Sequence, residues 1–156
     1  MILTKNFTLE ELCVTETGLP NIPDKYAQVK LFYLATYILQ PIRNKFGALK
    51  ITSGFRSLEV NQAIGGVSTS QHLLGEAADF IPLQVSISDV FEWVRAKSNL
   101  PFGAIGLNYG QAIREDKNDK KWIHISLPRL NDKNQMAMVY EQGTYREIWW
   151  SGEVIS

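Results

Sequence analysis

The sequence predicts an α+β domain in which a mainly antiparallel sheet carries helices packed on one side. A helical pattern of apolar residues occupies residues 24–46, in the first half of the chain, whereas short alternating segments such as residues 122–126 follow later. The chain has 156 residues, of which 45% are hydrophobic and 21% are charged. This length and this balance indicate one globular domain spanning residues 1–156.

The N-terminal segment predicts a short helix. Residues 8–11 have the form of a capping box, and Phe7 and Leu12 occupy the positions of a hydrophobic staple, so a helix should begin at Thr8. Cys13 follows among apolar residues and is interpreted as a core residue. Because the chain contains a single cysteine, no internal disulfide can form, and cysteine content does not indicate whether the protein works in an oxidising or a reducing compartment.

Apolar residues at three- and four-residue spacing predict an amphipathic helix over residues 24–46. Pro41 should kink or end this helix, because proline lacks the amide hydrogen that a helix interior uses. Three aromatic residues within it, Phe32, Tyr33 and Tyr37, are interpreted as packing residues rather than as part of a cofactor site.

The middle of the chain alternates between strands and helices. Residues 49–52 predict a strand, which a turn joins to a helix that Ser57 caps and that stops at the glycine pair 65–66. Residues 77–81 predict a second strand, and residues 104–107 predict a third strand. Between them, a helix should begin at one of two serines, Ser86 or Ser88.

The C-terminal third predicts the rest of the sheet. Residues 117–121 read as a charged loop, and residues 122–126 alternate strictly, so that His124 should face away from the layer formed by the isoleucines on either side. Short strands near residues 136–140 and 145–150 would complete the sheet. Trp149 and Trp150 are interpreted as packing residues or as an exposed contact surface.

Charge and hydropathy exclude several classes of function. Sixteen basic and sixteen acidic residues give a formal net charge of zero, so we expect no nucleic-acid partner and no anionic membrane surface. The longest apolar stretch, residues 31–39, is too short to cross a bilayer. The first residues lack the pattern of a secretory signal, so we expect synthesis in the cytoplasm.

The two histidines of the chain stand in settings that suggest a metal site. His72 precedes a turn at Gly75 and a strand bearing Asp79, and His124 belongs to another strand. Two imidazoles and one carboxylate would give zinc three ligands and leave a fourth position open, as in catalytic sites. The plainer interpretation is that each histidine is a hydrogen-bonded structural residue, although a carboxylate between Ala78 and Phe80 is costly without a partner.

A series of motifs in order gives the chain a recognisable pattern: Ser53-Gly54-Phe55-Arg56-Ser57, Asn61, Gly65-Gly66, Ser70-x-His72-x-x-Gly75-x-Ala77-x-Asp79 and Trp122-Ile123-His124. With the opening segment 6–12, this pattern resembles the zinc D-Ala-D-Ala metallopeptidases over residues 5–128. That family includes D-Ala-D-Ala carboxypeptidases and dipeptidases and the L-alanyl-D-glutamate endopeptidases of phage lysins. It shares its fold with the Hedgehog signalling domain.

The resemblance implies that Zn²⁺ is held by His72, Asp79 and His124, and that Arg56 meets the substrate. Arg56 would offer donors to a carbonyl that becomes an oxyanion or to a terminal carboxylate. Ser70 is expected either to hydrogen-bond to the substrate or to brace His72, and a plain turn residue is an equal alternative.

The catalytic base departs from the family pattern. Many members carry an acidic residue three positions before the last ligand, where this chain has Lys121, and a second histidine where this chain has Trp122. The nearest acidic residues in sequence are Asp119, Asp116, Glu115 and Glu76. Of these we predict Asp119 as the catalytic residue. Trp122 is expected to line the cleft beside the metal, and the alternative is that it covers one end of the sheet.

The sequence therefore predicts a peptidase that hydrolyses bonds next to D-amino acids in the stem peptide of peptidoglycan, either as a carboxypeptidase or as a lysin-type endopeptidase. The alternative is a non-catalytic, zinc-containing binding or structural module of the same fold. We expect a monomer, of phage-lysin type, that acts on the bacterial cell wall.

Overall fold

The computed structural model describes residues 1–97, 109–129 and 136–148. Within them, six strands form one sheet in the order β1-β2-β4-β3-β5-β6. The strands are β1 (Leu49–Ser53), β2 (Ala77–Pro82), β3 (Gln111–Lys117), β4 (Lys120–Ser126), β5 (Met136–Glu141) and β6 (Thr144–Glu147). Neighbouring strands are antiparallel except β3 and β5, which are parallel. The predicted α+β class and the mainly antiparallel sheet are confirmed.

The helices lie before the central strands in sequence. They are α1 (Lys25–Leu34), a π-helical segment (Ala35–Leu39), α2 (Gln40–Phe46), α3 (Leu58–Ala63) and α4 (Ile87–Lys97), with 3-10 turns at Glu11–Cys13 and Gln71–Leu74. The side chain of Asp24 caps α1 by accepting from the amide of Ala27 at 2.8 Å. Of the two serines proposed to cap α4, Ser86 does so, because its hydroxyl accepts from the amide of Asp89 at 3.1 Å.

The predicted long helix forms, and Pro41 does not end it, although the winding of the helix changes just before it. The five residues before Gln40 are π-helical, and the amide of Gln40 donates to the carbonyl of Ala35. Pro41 then stands in the first turn of α2, where a missing amide hydrogen costs little. The proline is therefore accommodated by a change of helical winding.

The three aromatic residues of this helix pack against one another on the surface and not in the core. Phe32, Tyr33 and Tyr37 are 44%, 46% and 61% exposed. The buried stripe of the helix is aliphatic instead and consists of Leu31, Leu34, Ala35, Ile38, Leu39 and Ile42. The three rings contact each other on the surface, with Tyr33 and Tyr37 stacked at a centroid distance of 5.8 Å.

The first predicted helix is a single 3-10 turn that begins at Glu11 rather than an α-helix that begins at Thr8. The Thr8 hydroxyl does accept from the amide of Glu11, at 3.2 Å, and Phe7 and Leu12 are both buried. The capping signal was therefore correct, but too few residues follow it to continue an α-helix. Cys13 is half-buried against the core, as predicted, and burial raises its pKa to about 11.

The predicted charged loop at residues 117–121 is wrong, because β3 and β4 form a hairpin there. Its turn is Asn118–Asp119, and both residues have positive φ, 52° and 62°. Asn and Asp tolerate this conformation, which two-residue hairpin turns require. The sequence of β3 is mostly polar, so its alternation was not recognised as a strand.

The sheet has two different faces. Ala112, Ile123 and Ile125 point to the side where α4 packs, and all three belong to the hydrophobic core. The residues that alternate with them, including Ile113, Glu115 and His124, therefore point to the opposite side. We call this opposite side the site face.

Some predicted elements lie outside the described residues, namely the strand at residues 104–107 and the pair Trp149 and Trp150. The predicted strand at 136–140 is confirmed as β5, and the one at 145–150 corresponds in part to β6. Among the described residues, every helix is too short or too polar to cross a membrane.

Candidate metal centre

Three side chains predicted as metal ligands converge on the site face. The ligand atoms of His72, Asp79 and His124 lie within 4.8 Å of one another. His72 and Asp79 are buried, and His124 is half-buried. The structure thus brings together residues that are up to 52 positions apart in the chain.

His72 is carried by the 3-10 turn Gln71–Leu74. The turn ends at Gly75, which has a φ of 70°, and a Cβ atom there would lie 2.7 Å from the carbonyl oxygen of Ala27. Glycine meets both requirements, since it adopts positive φ freely and needs no space for a side chain. The Nδ1 atom of His72 lies 2.6 Å from the carbonyl oxygen of Gly54. Because a carbonyl can only accept, Nδ1 carries the hydrogen, and Nε2 presents its lone pair to the centre.

Asp79 and His124 are direct cross-strand neighbours on β2 and β4. Side chains opposite each other in an antiparallel pair lie close together on the same face. The Asp79 Oδ1 atom is 2.9 Å from the Nδ1 atom of His124 and 3.3 Å from the Nε2 atom of His72. The sheet register therefore fixes two of the three ligands.

These distances fit a tetrahedral metal ion. The third separation, between the Nε2 atom of His72 and the Nδ1 atom of His124, is 3.3 Å. Zinc holds nitrogen and oxygen ligands at about 2.0–2.1 Å, which places two ligands of a tetrahedron about 3.3 Å apart. Three protein ligands leave one position of the tetrahedron for a water or a substrate atom.

Gln71 contacts the far side of His124. Its side-chain oxygen lies 3.3 Å from the Nε2 atom of His124. When Nε2 donates its hydrogen to Gln71, Nδ1 turns its lone pair toward Asp79 and His72. Each ligand histidine thus has an oxygen acceptor that selects its tautomer, which is the usual support of metal-bound imidazoles. The sequence offered no more than the adjacency of Gln71 to His72.

Arg56 reaches the centre through Asp79. Its Nη2 atom donates to the Oδ2 atom of Asp79 at 2.7 Å, and its Nε atom donates to the hydroxyl of Ser53 at the same distance. The two oxygens of Asp79 are therefore divided, one toward the ligands and one toward Arg56. This contact makes Arg56 a support of the metal ligand, and the predicted contact with substrate stays a prediction.

The charges of the centre are strongly coupled. Burial alone would raise the pKa of Asp79, but the neighbouring His72 and His124 outweigh burial and hold this pKa well below its usual range. Burial lowers the pKa of His72, although Asp79 opposes this effect. Asp79 is therefore a carboxylate and His72 a neutral imidazole near neutral pH, which are the forms that bind a metal ion.

A cleft of about 530 Å³ leads away from Asp79 and Arg56. Its far wall is formed by the β3–β4 hairpin, including Asp119, Lys121 and Trp122. The prediction that Trp122 lines the cleft is confirmed. Asp119 is exposed in the hairpin turn and also lines the cleft, so its predicted catalytic role is compatible with its position but stays a prediction.

Ser70 supports the turn that carries His72. Its hydroxyl accepts from the backbone amide of His72 at 3.4 Å and caps the 3-10 turn. This contact is compatible with the predicted bracing of His72 and with a plain turn residue, so the role of Ser70 stays a prediction. Ser70 is not among the residues that line the cleft.

Lys121 stands at the position where the resemblance implies an acid, and its side chain forms an ion pair at the surface. Its ammonium forms an ion pair with the carboxylate of Asp116 at 3.0 Å, and its side chain is 62% exposed. The charge of Asp116 is therefore balanced by Lys121 at the surface. Asp116 lies on the opposite face of β3 from Glu115.

Glu76 is buried, but two cations neutralise it. Its carboxylate forms ion pairs with Lys30 of α1 and with Arg129, which follows β4. These contacts join α1 to the segment between His72 and Asp79. Both oxygens of this carboxylate are thus engaged in ion pairs inside the fold.

Glu115 is the acidic residue whose setting the sequence did not reveal. The residue is buried, with 8% of its area exposed, and the hydroxyl of Tyr145 donates to its carboxylate at 3.4 Å. Burial raises the pKa of Glu115; the charge of His124 lowers it, and that of Asp79 raises it. Glu115 was one of four acids near the last ligand in sequence, and it could be distinguished only after β3 was known to be a strand.

The comparisons with known proteins agree with this centre. The family model described as Peptidase M15 matches residues 5–126, which includes Arg56 and all three candidate ligands. No curated protein matches the chain. The matched segment covers most of the chain and ends at the last residue of β4, so it contains strands β1 to β4 and the three candidate ligands, whereas β5 and β6 lie outside it. The chain therefore belongs to the Peptidase M15 family of zinc metallopeptidases.

Proposed function

We propose that this protein hydrolyses peptide bonds next to D-amino acids in the stem peptides of bacterial peptidoglycan. One observation carries the proposal. The ligand atoms of His72, Asp79 and His124 stand at the separations of a tetrahedral zinc site, and a cleft opens beside Asp79. Membership of the M15 family supports a peptidase as the kind of enzyme, and the wall peptide as its substrate is the finer proposal.

The residues around the centre suit hydrolysis of an amide. A zinc ion bound there would act as a Lewis acid on the scissile carbonyl and would make a water molecule nucleophilic near neutral pH. Arg56 lines the same cleft and holds Asp79 in place through one of its nitrogens. The remaining donors of its guanidinium are suited to a carbonyl oxygen that gains negative charge.

The cleft has the size and lining of a peptide site. Its volume, about 530 Å³, lies in the range of small-ligand pockets. Val60, Ile64 and Ile81 provide apolar wall, and Lys120 and Lys121 provide cations at the hairpin. Such a lining suits a short peptide that carries small apolar side chains and free carboxylates, as stem peptides do.

A second function is favoured by one observation. Lys121 replaces the acid that many relatives use and is engaged by Asp116, so the usual proton acceptor is missing from its usual place. A non-catalytic metal-containing binding module would have the same ligands and the same cleft. The two functions differ in turnover and not in metal content.

Incubation with wall fragments separates the two functions. The purified, zinc-loaded protein is mixed with peptidoglycan fragments of several wall chemistries, and new termini are followed by mass spectrometry. His124→Ala removes a ligand, and Arg56→Ala removes a cleft donor. Glu59→Gln, at an exposed residue of α3, is the matched control for changes in surface charge.

Zinc-dependent cleavage that persists in Glu59→Gln and disappears in His124→Ala would establish the peptidase and identify the bond. Intact fragments with every wall chemistry, at full zinc occupancy, would instead support the binding module.

A further inference from the structure

We propose that Glu115 is the proton-transfer residue of this centre and that it replaces the acid missing at Lys121. The assignment deepens the proposed peptidase function and rests on it. It differs from the sequence prediction, which placed this role at Asp119 in the hairpin turn.

The sheet register places Glu115 beside the metal ligands. On the two paired strands, Ile113 is opposite His124, and Glu115 is opposite Trp122. Glu115 and His124 are therefore diagonal neighbours on the site face, with an expected Cβ separation of about 7–8 Å or somewhat less. A glutamate side chain extends far enough to bring its carboxylate to a water or a substrate atom beside His124.

Arg114, the residue before Glu115 on β3, points to the other side of the sheet, and this supports the placement of Glu115. The guanidinium of Arg114 lies over the ring of Phe91, 5.9 Å from its centroid, and donates to Ser88. Both partners belong to α4, which packs on the core side of the sheet. Since side chains alternate along a strand, Glu115 must point to the site face.

Burial distinguishes Glu115 from the other acids. Among the described residues, the acidic residues that are buried are Glu76, Asp79 and Glu115. Asp79 is a ligand, and Glu76 is neutralised by Lys30 and Arg129. Glu115 has no ion pair within the part of the chain that the structure describes. Burial of a carboxylate without a cation beside it lowers the stability of the folded protein. Such groups are therefore typical of functional sites.

The proton balance of the reaction is complete with this one residue. The carboxylate of Glu115 accepts a proton from the attacking water as the new C–O bond forms. The resulting carboxylic acid then donates that proton to the amide nitrogen as the C–N bond breaks. The second proton of the water stays on the new carboxyl group and passes from there to the amine or to solvent, so the products are a carboxylate and an ammonium group and Glu115 returns to its starting form.

Tyr145 acts as a positioning residue. Its hydroxyl donates to the Oε1 atom of Glu115, and it comes from β6, two strands away from β3. The ring of Tyr145 packs against Tyr140 at a centroid distance of 4.6 Å, which fixes its direction. The outer strands of the sheet therefore hold Glu115 from the side opposite the metal.

The first test compares Glu115→Gln with the wild type in the cleavage assay. We expect kcat to fall by about 10²- to 10⁴-fold, the usual contribution of acid–base catalysis, while KM and zinc affinity change by less than about threefold. The acid limb of the wild-type kcat/KM profile should disappear. Tyr145→Phe should keep that limb but shift it, and Glu59→Gln should match the wild type.

The second test does not need turnover. A phosphinate dipeptide analogue mimics the tetrahedral stage and needs a shared proton next to the metal. Calorimetry in buffers of different ionisation enthalpy should show proton uptake on binding to the zinc-loaded wild type. The same titration with Glu115→Gln should show smaller uptake, because the proton held by Glu115 is missing.

The outcomes separate this inference from the proposed function. Normal kcat in Glu115→Gln, or loss in Asp119→Asn with Glu115→Gln unaffected, would overturn the role of Glu115 and leave the peptidase intact. If the wild type cleaves nothing, the proposed function fails. In that case, the calorimetric titration still tests Glu115. Equal proton uptake by the wild type and Glu115→Gln overturns the assignment of Glu115 as well, and smaller uptake by the variant supports it.

Discussion

The side-chain oxygen of Gln71 lies 3.3 Å from the Nε2 atom of His124, although Gln71 itself precedes the other histidine ligand in the chain. One turn of backbone thus carries a ligand and the support of a second ligand. Through this contact, a shift of the turn Gln71–Leu74 displaces both imidazoles together.

Substitution of Gln71 should therefore weaken metal binding. In Gln71→Ala, the Nε2 hydrogen of His124 loses its acceptor, so the wrong tautomer becomes available. We expect zinc affinity to fall by about 10- to 100-fold, as for other supporting residues of this kind. Competition with a chelating dye measures the change. Gln62→Ala, at an exposed glutamine of α3, is the control and should bind zinc normally.

Metal removal should lower the thermal stability of the chain. A ligand present at 100 times its Kd stabilises the folded state by about 2.7 kcal/mol. For a domain of this size, that corresponds to a rise in Tm of about 5–11 °C. Calorimetric scans with zinc and with excess chelator measure the difference. Asp79→Asn should show a much smaller zinc-dependent shift, and an unchanged shift would contradict the ligand assignment.

Arg56 should affect both the ligand and the reaction. In Arg56→Lys the charge remains, but one ammonium cannot bind both Asp79 and Ser53 and also meet the substrate. We expect kcat/KM to fall by about 10²- to 10³-fold, with a smaller loss of zinc affinity. Steady-state kinetics and metal titration of the same preparation separate the two effects. Equal losses in both would mean that Arg56 only supports Asp79.

The pH dependence of stability should change when Glu115 is replaced. Burial raises the pKa of Glu115 in the folded state, so its contribution to stability is present below the unfolded value and is lost as pH rises through the folded value. At neutral pH, the wild type therefore carries a penalty that Glu115→Gln lacks. The charged and titratable groups that act on Glu115 are His124, Asp79, Tyr145 and Lys117, and none of them is altered.

Urea denaturation of metal-free protein from about pH 4 to pH 8 measures this effect. Glu115→Gln should equal the wild type near the acid end and exceed its stability near pH 8. A wild type that is more stable than the variant at pH 8 would show that the carboxylate has an unseen partner.

The candidate ligands, and the two strands that carry Asp79 and His124, could be predicted from the sequence for particular reasons. His72, Asp79 and His124 are chemically distinctive, and β4 alternates so clearly that the direction of His124 could be predicted. Glu115 was not distinguishable, because β3 alternates weakly and its pairing is decided by long-range contacts on both sides. The π-helical passage at Pro41 was missed for a related reason, since tertiary burial of the aliphatic stripe overrides the local cost of a proline.

The contact between Leu12 and Gly54 determines how short a functional fragment can be. The carbonyl oxygen of Leu12 accepts from the amide of Phe55 at 2.7 Å, and a Cβ atom on Gly54 would lie 2.1 Å from that oxygen. The carbonyl of Gly54 in turn holds the Nδ1 hydrogen of His72. The N-terminal segment thus supports the backbone next to the metal centre, although none of its residues is a candidate ligand. A truncated version that starts at β1 would contain every ligand and still lose the backbone that aligns the first of them.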